Sequence, residues 1–337
     1  MRLSVCIPAY NRAEELADLF DSIERQKNYQ FELEVVVSDN ASADDTQQVV
    51  ERYKGRLPGL VYSRSAQNLG ADRNFLRAVD LATGDFCWLM GSDDKFEDGA
   101  FSTIEHVLMQ YPDTTGAIVA AQGYRRDLRT REPMPDPIAD TFTQATLLEG
   151  VDNILVSIGI SFGFLSSLII NKKRWDAVVG THPVGDFYNS YIHVYVVANM
   201  VAENPRWLAV PARLVGYRGE NDSFLDRGRF NRLRFDVVGY AQVFGSVLDR
   251  QGRSYRQIMS NVCRHHIFSH VMVAKIAGES RSYWQNAFPL LLGEYWRYPV
   301  FWKKVLPVML APPAMFRTAR RLVRAARRGR TVMRAFP

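Results

Sequence analysis

Through its first hundred residues the chain alternates short apolar runs with amphipathic segments. Residues 3–9, Leu-Ser-Val-Cys-Ile-Pro-Ala, are apolar and rich in β-formers, which predicts a strand. Leu16, Leu19, Phe20 and Ile23 follow at i, i+3, i+4 and i+7, the spacing of a helix with one buried face, and Asn11 can cap it. Residues 33–37 predict a second strand, buried on both faces, that ends in Ser38-Asp39-Asn40-Ala41-Ser42. Ser42 or Asp44 can cap a helix running to about Tyr53. Residues 60–63 predict a third strand, then Asn68-Leu69-Gly70 leads into a helix to about Ala82, and residues 86–90 predict a fourth strand. Strands alternating with single helices imply a parallel sheet with right-handed crossovers. The polar clusters Ala9 to Arg12, Asp39, Asn68 to Arg73 and Asp93-Asp94 each follow a strand. They are expected to converge at one edge of the sheet, where open α/β sheets bind ligands.

The second half is less regular. Residues 115–121 predict another strand, and residues 122–150, polar and proline-bearing, predict a loop. Residues 154–170 are uncharged, but four Ser and two Gly favour a buried helix and then a strand at about 166–171 over a membrane span. Residues 186–200 read as a helix closing at Glu203-Asn204-Pro205, and residues 207–210 as a strand ending at Pro211. Helices over about 230–278 and 282–295 complete the pattern.

Composition adds a compartment and a charge asymmetry. A hydrophobic content of 47% is ordinary for a soluble protein. Three scattered cysteines, Cys6, Cys87 and Cys263, suit buried reduced thiols and offer no metal spacing. The chain enters its first strand at once, so no signal peptide is expected ahead of the fold. The net charge of +6 has one source: after Glu294 there are eleven Lys and Arg and no acidic residue. Mixed there with Trp, Tyr, Phe and Pro, these cations suit the headgroup boundary of an anionic membrane, while the apolar stretch is too short and Pro-rich to span. A nucleic-acid-binding arm and a solvated tail are the alternatives.

The candidate chemistry lies in the polar clusters. Adjacent carboxylates such as Asp93 and Asp94 repel, and are tolerable in water, beside basic partners, or on a hard cation such as Mg²⁺ or Mn²⁺. Ser-Asp-Asp also suits a turn or a helix cap. Asp39 can likewise form an Asx turn, Tyr10 can pack rather than stack on a base, and Arg73 can pair with Asp72 or Asp80.

Four stretches in order resemble a known family. Ser4-Val-Cys-Ile-Pro-Ala-Tyr-Asn-Arg, Val36-Val-Ser-Asp-Asn-Ala-Ser-Ala-Asp-Asp-Thr, Asn68-Leu-Gly-Ala-Asp-Arg-Asn and Gly91-Ser-Asp-Asp look like the motifs of a family 2 glycosyltransferase with the GT-A fold. The resemblance implies an α/β, Rossmann-like, mostly parallel sheet flanked by helices, here with a helical C-terminal extension. It also implies a nucleotide-sugar donor, a divalent metal (Mn²⁺ or Mg²⁺) and inversion at the anomeric carbon. By resemblance, Ala9 and Tyr10 border the nucleobase, Asp39 accepts a hydrogen bond from it, and Arg73 lies near the base or the phosphates. Pro8, Asn11, Asn68 and Ser92 belong to the same donor-binding motifs. Asp93 is similar to the last Asp of the family's Asp-x-Asp metal motif, Asp94 would join it through water, and Gly91 stands where the first Asp usually sits. This Gly-Ser-Asp-Asp variant looks like the subset that includes abequosyltransferase-like enzymes of surface-polysaccharide assembly.

On the acceptor side, family members carry an acidic pair at the start of the helix read at 186–200, and its Asp deprotonates the acceptor hydroxyl. Counting back from Pro211 by the family's usual spacing falls on His193, where this chain has Ile192-His193. An imidazole can serve as that base; a packed histidine, with Asp186 as the base, is the alternative. Val215-Gly-Tyr-Arg-Gly-Glu-Asn-Asp-Ser resembles the segment that closes over the diphosphate, so Arg218 would contact phosphate and Glu220 would take a metal-binding position. A cation there would offset the charge growing on the leaving diphosphate, at about 4 kcal/mol per unit-charge pair for a separation of ~4 Å and an effective dielectric near 20.

These readings imply a catalytic domain over residues 1–225, with a donor half to about 122 and an acceptor half beyond it, and a helical extension over 226–337 whose tail from about 295 associates with membrane. The expected protein is a glycosyltransferase on the cytoplasmic face of the cell membrane, acting on a lipid-linked saccharide acceptor, with no nucleic-acid partner. A nucleotidylyltransferase and a non-catalytic nucleotide-sugar-binding scaffold are the other classes that this layout admits.

Overall fold

The computed structural model describes residues 1–221, 225, 228–312 and 314–318. The chain divides into two compact units, Met1–Asp222 with Gln242–Asp249, and Ser223–Ala241 with Arg250–Pro337.

The first unit carries, among the described residues, a sheet of nine strands. They are β1 (Arg2–Ala9), β2 (Glu32–Asp39), β3 (Leu60–Arg64), β4 (Phe86–Leu89), β5 (Lys95–Phe96), β6 (Gly116–Tyr124), β7 (Thr146–Glu149), β8 (Leu168–Asn171) and β9 (Arg206–Arg218). Its helices are α1 (Ala13–Glu24), α2 (Thr46–Tyr53), α3 (Ala71–Asp80), α4 (Ala100–Gln110), α5 (Pro137–Thr141), α6 (Val151–Ile158), α7 (Lys172–Thr181) and α8 (Ile192–Glu203). The strand order is β3-β2-β1-β4-β8-β6-β9-β5, with β7 along β9.

The first four strands are parallel, as the alternation predicts. β6 and β9 share their direction, whereas β8, β5 and β7 run against it. The order reverses at β1, which has β2 on one side and β4 on the other. Such a switch point opens a crevice beyond the carboxyl ends of the two strands. Tyr10 and the Gly91–Asp94 turn leave the sheet there.

Packing follows the apolar pattern. α1 buries Leu16, Leu19, Phe20 and Ile23, and every residue of β2 from Leu33 to Asp39 is buried. At the heart of the core Trp88 meets Phe96 edge-on at 4.8 Å, and Phe96 meets Phe101 in the same way.

Several elements differ from the sequence reading. The helix expected from residue 186 begins at Ile192: Val184–Phe187 is a 3₁₀ turn, and Ser190 lies at φ +75°, which no helix accommodates. β9 continues through Pro211 instead of stopping there, because its pairing with β6 shifts register between Val210 and Arg213. A bulge leaves that position without a ladder bond to donate, and proline has none. The loop expected over 122–150 contains α5 and β7, each of five residues or fewer and too short to show a period. Cys6, Cys87 and Cys263 are buried free thiols.

The second unit is helical: the start of α9 (Arg229–Val247), then α10 (Arg253–Val262), α11 (Phe268–Ala277), α12 (Arg281–Tyr295) and α13 (Leu306–Leu310). π-helical segments at Cys263–Ile267 and Phe301–Val305 lead into α11 and α13. Its core includes Tyr255, Ile258, Val262, Leu291 and Phe301, and encloses Asp236, which accepts a hydrogen bond from Arg232 and pairs with His270 at 2.6 Å. Among the described residues no helix is long and apolar enough to cross a membrane. Seven of the eleven basic residues of the tail fall in residues 319–337, which lie outside the described residues.

Candidate active site

Side chains lock the turns that follow β1 and β2 to each other. Asn11 sits at φ +50°, a left-handed conformation that Asn tolerates. Its N–H donates to Ser42 Oγ (2.9 Å), and its Oδ1 accepts from Ala43 N (2.7 Å). Asn11 therefore bridges two loops and does not cap α1. That cap comes from Asp44, whose Oδ2 accepts from Ala13 N at 3.0 Å. Asp39 is fully buried: Oδ1 accepts from Ser42 N (2.9 Å), Oδ2 accepts from the Tyr62 hydroxyl (2.6 Å), and Arg64 stands 3.5 Å away. Burial and this carboxylate together hold the Tyr62 hydroxyl well above its ordinary pKa. Asp39 thus forms the turn that the Asx alternative foresaw, and it shapes the wall of the site from beneath.

Asn40 extends the wall to the third loop. Its Nδ2 donates to Asn68 Oδ1 (2.9 Å) and its Oδ1 accepts from Leu69 N (2.7 Å), while Gly70 N also donates to Asn68. Below it, Asn74 Nδ2 donates to the Ser38 carbonyl at 3.0 Å. Three loops separated in sequence are thereby one surface, and Ala9 sits buried at its base. The Tyr10 ring is 46% exposed, so it is open to a ligand and not packed. An open crevice of about 530 Å³ lies along α2, lined by Asp44, Gln47, Gln48, Glu51 and Arg64; neither Asp39 nor Asp93 borders it.

At the end of β4 the two acids face opposite ways. Asp94 is buried, accepting from Arg218 N (3.0 Å) and from the Ser166 hydroxyl, which in turn accepts from Gly91 N (3.0 Å). Asp93 is only partly buried, and its Oδ2 accepts from Asn221 Nδ2 at 2.7 Å. Asn221 Oδ1 accepts from Arg12 at 2.8 Å, which closes an Arg12–Asn221–Asp93 chain. Burial holds both carboxyls above the ordinary carboxylate range, and for Asp94 the charge of Asp93 adds to it. Ser92 is buried in the same turn. A Cβ at Gly91 would stand 3.1 Å from Asp93 Oδ1 and 3.2 Å from Asp94 Oδ2, so a side chain at 91 would require these carboxylates to give by a few tenths of an ångström.

Arg218 does not face a ligand. Its guanidinium is buried, donating to the Asp93 carbonyl (2.6 Å), the Arg126 carbonyl (2.6 Å) and Asp18 (2.8 Å). It clamps β9 to the Asp93 turn, and the phosphate contact expected of it is replaced by these internal bonds.

On the acceptor side, His193 is 3% exposed within α8, whose residues Ile192–Val201 are all buried. Its ring meets Phe75 edge-on at 5.5 Å, and neither nitrogen reaches a partner at hydrogen-bonding geometry. Desolvation lowers its pKa to about 4, only partly opposed by the Phe162 and Gly163 carbonyls. Asp186 is exposed on the 3₁₀ turn before α8. The segment between them is anchored to α3: Asp72 accepts from Ser190 N (2.8 Å) and Ile192 N (3.1 Å), and the exposed Arg73 lies 5.3 Å over the Tyr188 ring. Arg73 therefore stacks on an aromatic and pairs with neither Asp72 nor Asp80. Of the two candidate bases, only Asp186 is accessible to an acceptor.

The metal expectation divides. Glu220 is exposed at φ +61°, and among the described residues no three His, Cys, Asp or Glu groups converge. An all-protein cage is therefore not formed. Asp93, with Oδ2 held by Asn221, fits a hard cation that keeps several waters and takes its other oxygens from substrate phosphates.

Sequence reasoning overlooked Asn40, Asp72, Asn221 and Ser166, and gave Arg12 no role. Arg12, Asn40 and Asp72 lie inside the motifs, where polarity was the available signal. Asn221 lies in the segment 215–223 that was read for Arg218 and Glu220, but nothing local ties it to an acid 128 residues away, and Ser166, 72 residues from Asp94, lies in no motif.

Residues 4–171 match the family described as glycosyl transferase family 2. Abequosyltransferase RfbV of Salmonella typhimurium is 34% identical over 260 residues, covering 72% of this chain and 74% of that protein. Among solved structures, TarS 1–349 of S. aureus in complex with UDP-GlcNAc matches with a TM-score of 0.63 at 15% identity, covering 88% of this chain and 82% of that one. The mannosyltransferase PcManGT of Pyrobaculum calidifontis, in complex with GDP-Man and Mn²⁺, matches with a TM-score of 0.53 at 17% identity, covering 93% and 86%. A mixed α/β sheet with its polar loops at the β1–β4 switch point, and a relative of this identity over most of both chains, make the protein a glycosyltransferase of family 2 with the GT-A fold.

Proposed function

We propose that this enzyme moves a sugar from a nucleotide-sugar donor to a lipid-linked saccharide acceptor in the assembly of a surface polysaccharide. The observation that carries this reading is that the turn after β1 is tied to the Asn40–Ala43 loop through Asn11 and to Asp93 through Arg12 and Asn221. The kinship with an abequosyltransferase supports transfer of a single sugar residue, and the neighbours' complexes with UDP-GlcNAc and GDP-Man support a nucleotide-linked donor.

In this reading Tyr10 offers its ring to the base, and the wall behind it, shaped by Asp39, fixes the nucleoside. Arg73, exposed beside Tyr188, faces the donor's phosphates. Asp93 would hold a divalent cation, which would supply charge to offset that developing on the leaving diphosphate. Asp94, whose charge is disfavoured by burial and by Asp93, keeps the turn folded through Arg218 N and the Ser166 hydroxyl. Asp186 accepts the acceptor's hydroxyl proton as that oxygen bonds to the anomeric carbon and the sugar–phosphate bond breaks toward the diphosphate. One displacement with one base inverts the anomeric centre.

Calorimetry of the purified protein against a panel of nucleotide sugars, with and without Mn²⁺, followed by product analysis, tests this. One donor should bind, transfer its sugar and release a nucleoside diphosphate with inverted product stereochemistry. Binding without turnover would make the protein a scaffold, and release of pyrophosphate would make it a nucleotidylyltransferase.

A further inference from the structure

We propose that the second unit docks on an anionic lipid surface through the exposed face of the helix over residues 301–310, with Trp302 and Leu310 as its apolar anchors and Lys303 and Lys304 as its cations. That helix runs from the π-helical segment Phe301–Val305 into α13. Phe301, Val305 and Met309 recur every four residues and are buried, so one face belongs to the unit's own core. Away from that face, Trp302 is 49% exposed and Leu310 72%. Trp296, 51% exposed, joins the patch by accepting a hydrogen bond from Trp302 Nε1 at its carbonyl, 2.8 Å.

Trp302 meets Phe301 edge-on at 5.5 Å, yet about half of each indole and most of Leu310 stay in water. Indoles suit a membrane boundary because an apolar ring and a polar N–H are satisfied there together. Cations surround them: Arg297 lies 5.0 Å over the Trp296 ring, and Lys303 and Lys304 are exposed on the same turn as Trp302. No acidic residue follows Glu294 anywhere in the chain, so the complementary surface is negative. A nucleic acid would use the cations and leave the leucine without purpose. Exposed indoles, leucine and cations without acids match the headgroup region of an anionic bilayer. Attachment is interfacial, since no described helix can span. The inference rests on the reading that the acceptor is lipid-linked, because docking would concentrate the enzyme where such an acceptor resides.

The test uses the full chain sedimented with vesicles of phosphatidylcholine, with or without phosphatidylglycerol. Binding should require the anionic lipid and weaken with salt. The Trp302→Ser/Leu310→Ser and Lys303→Glu/Lys304→Glu double variants should each lose about tenfold or more in partitioning. Their melting temperatures and transfer to a water-soluble acceptor should not change. Equal binding to neutral vesicles, or full binding by both double variants, would overturn the proposal. So would sedimentation-velocity evidence that Trp302 and Leu310 mediate self-association, or binding to duplex DNA in place of vesicles. Asp93→Ala separates the two readings: it should keep vesicle binding while losing transfer, so a failure of docking and a failure of catalysis appear in different assays.

Discussion

Asp93 and Asp94 are neighbours in the chain, and burial gives them different work. Asp94 points inward to Arg218 N and Ser166, whereas Asp93 stays partly exposed behind Asn221. Asp94→Asn keeps an acceptor for Arg218 N and removes a charge that the site already disfavours. Its transfer rate should remain within about tenfold of the parent, while Asp93→Asn should lose about 10²-fold or more, read as kcat with saturating donor and Mn²⁺. His193 carries a separate expectation. The folded protein holds the imidazole at about 4 against an ordinary 6.5, so the unfolded chain binds the proton first as pH falls. Stability linked to this group is complete above pH 6.5 and declines as pH drops toward 4, by about 2 kcal/mol at pH 5. His193→Phe should abolish that part of the decline, measured by urea unfolding at pH 7 and pH 5. It should also leave transfer active, while Asp186→Asn should not. Inactivity of His193→Phe with a native melting temperature would return the base to His193.

At the scale of elements, α3 joins the Asn40–Asn68 loops to the segment that enters α8. Its first turn supplies Asp72, whose carboxylate covers the N–H groups at the start of α8 and adds negative charge at that helix's N-terminus. Burial raises the Asp72 pKa, and the two backbone donors oppose that rise. Asp72→Ala would strand both donors and release the Asp186–Ser190 segment. We expect a loss of about 1–3 kcal/mol in stability and a rise in acceptor KM, with donor affinity within about twofold of the parent. Asp72→Asn, which keeps an acceptor oxygen, should recover part of both. If donor affinity fell as much as acceptor affinity, Asp72 would be supporting the whole rim and not the acceptor segment.

At the scale of the molecule, the site belongs to the sheet unit, and its loops are held by hydrogen bonds that join residues far apart in sequence. A donor that binds there stabilises only the folded form, by about 2.7 kcal/mol at a hundredfold excess over its Kd. The melting temperature should therefore rise with donor and Mn²⁺, and chelation should reverse most of that rise. Asp93→Ala should show a smaller rise, and an equal rise in that variant would detach Asp93 from the cation.

The first four strands, their helices and the edge on which the motifs gather were legible because alternating apolar runs and parallel crossovers are local patterns with one packing solution. β5, α5 and β7 were not, since two to five residues carry no period and depend on the neighbour that they pair with. The halt expected at Pro211 failed for a related reason: a bulge, visible only once β6 lies alongside, makes room for a residue with no N–H to donate.

Sequence alone determined the order of the motifs, the parallel pairing of the first four strands, the family and the concentration of positive charge after Glu294. Tertiary structure alone decided which way each of those polar groups faces. It turned Asp94, Arg218 and His193 inward, left Asp186, Arg73 and Tyr10 outward, and joined Asn221 to Asp93. The physical reason is that residue type sets what a side chain can bind, whereas burial and the partners that folding brings from a hundred residues away set what it does bind.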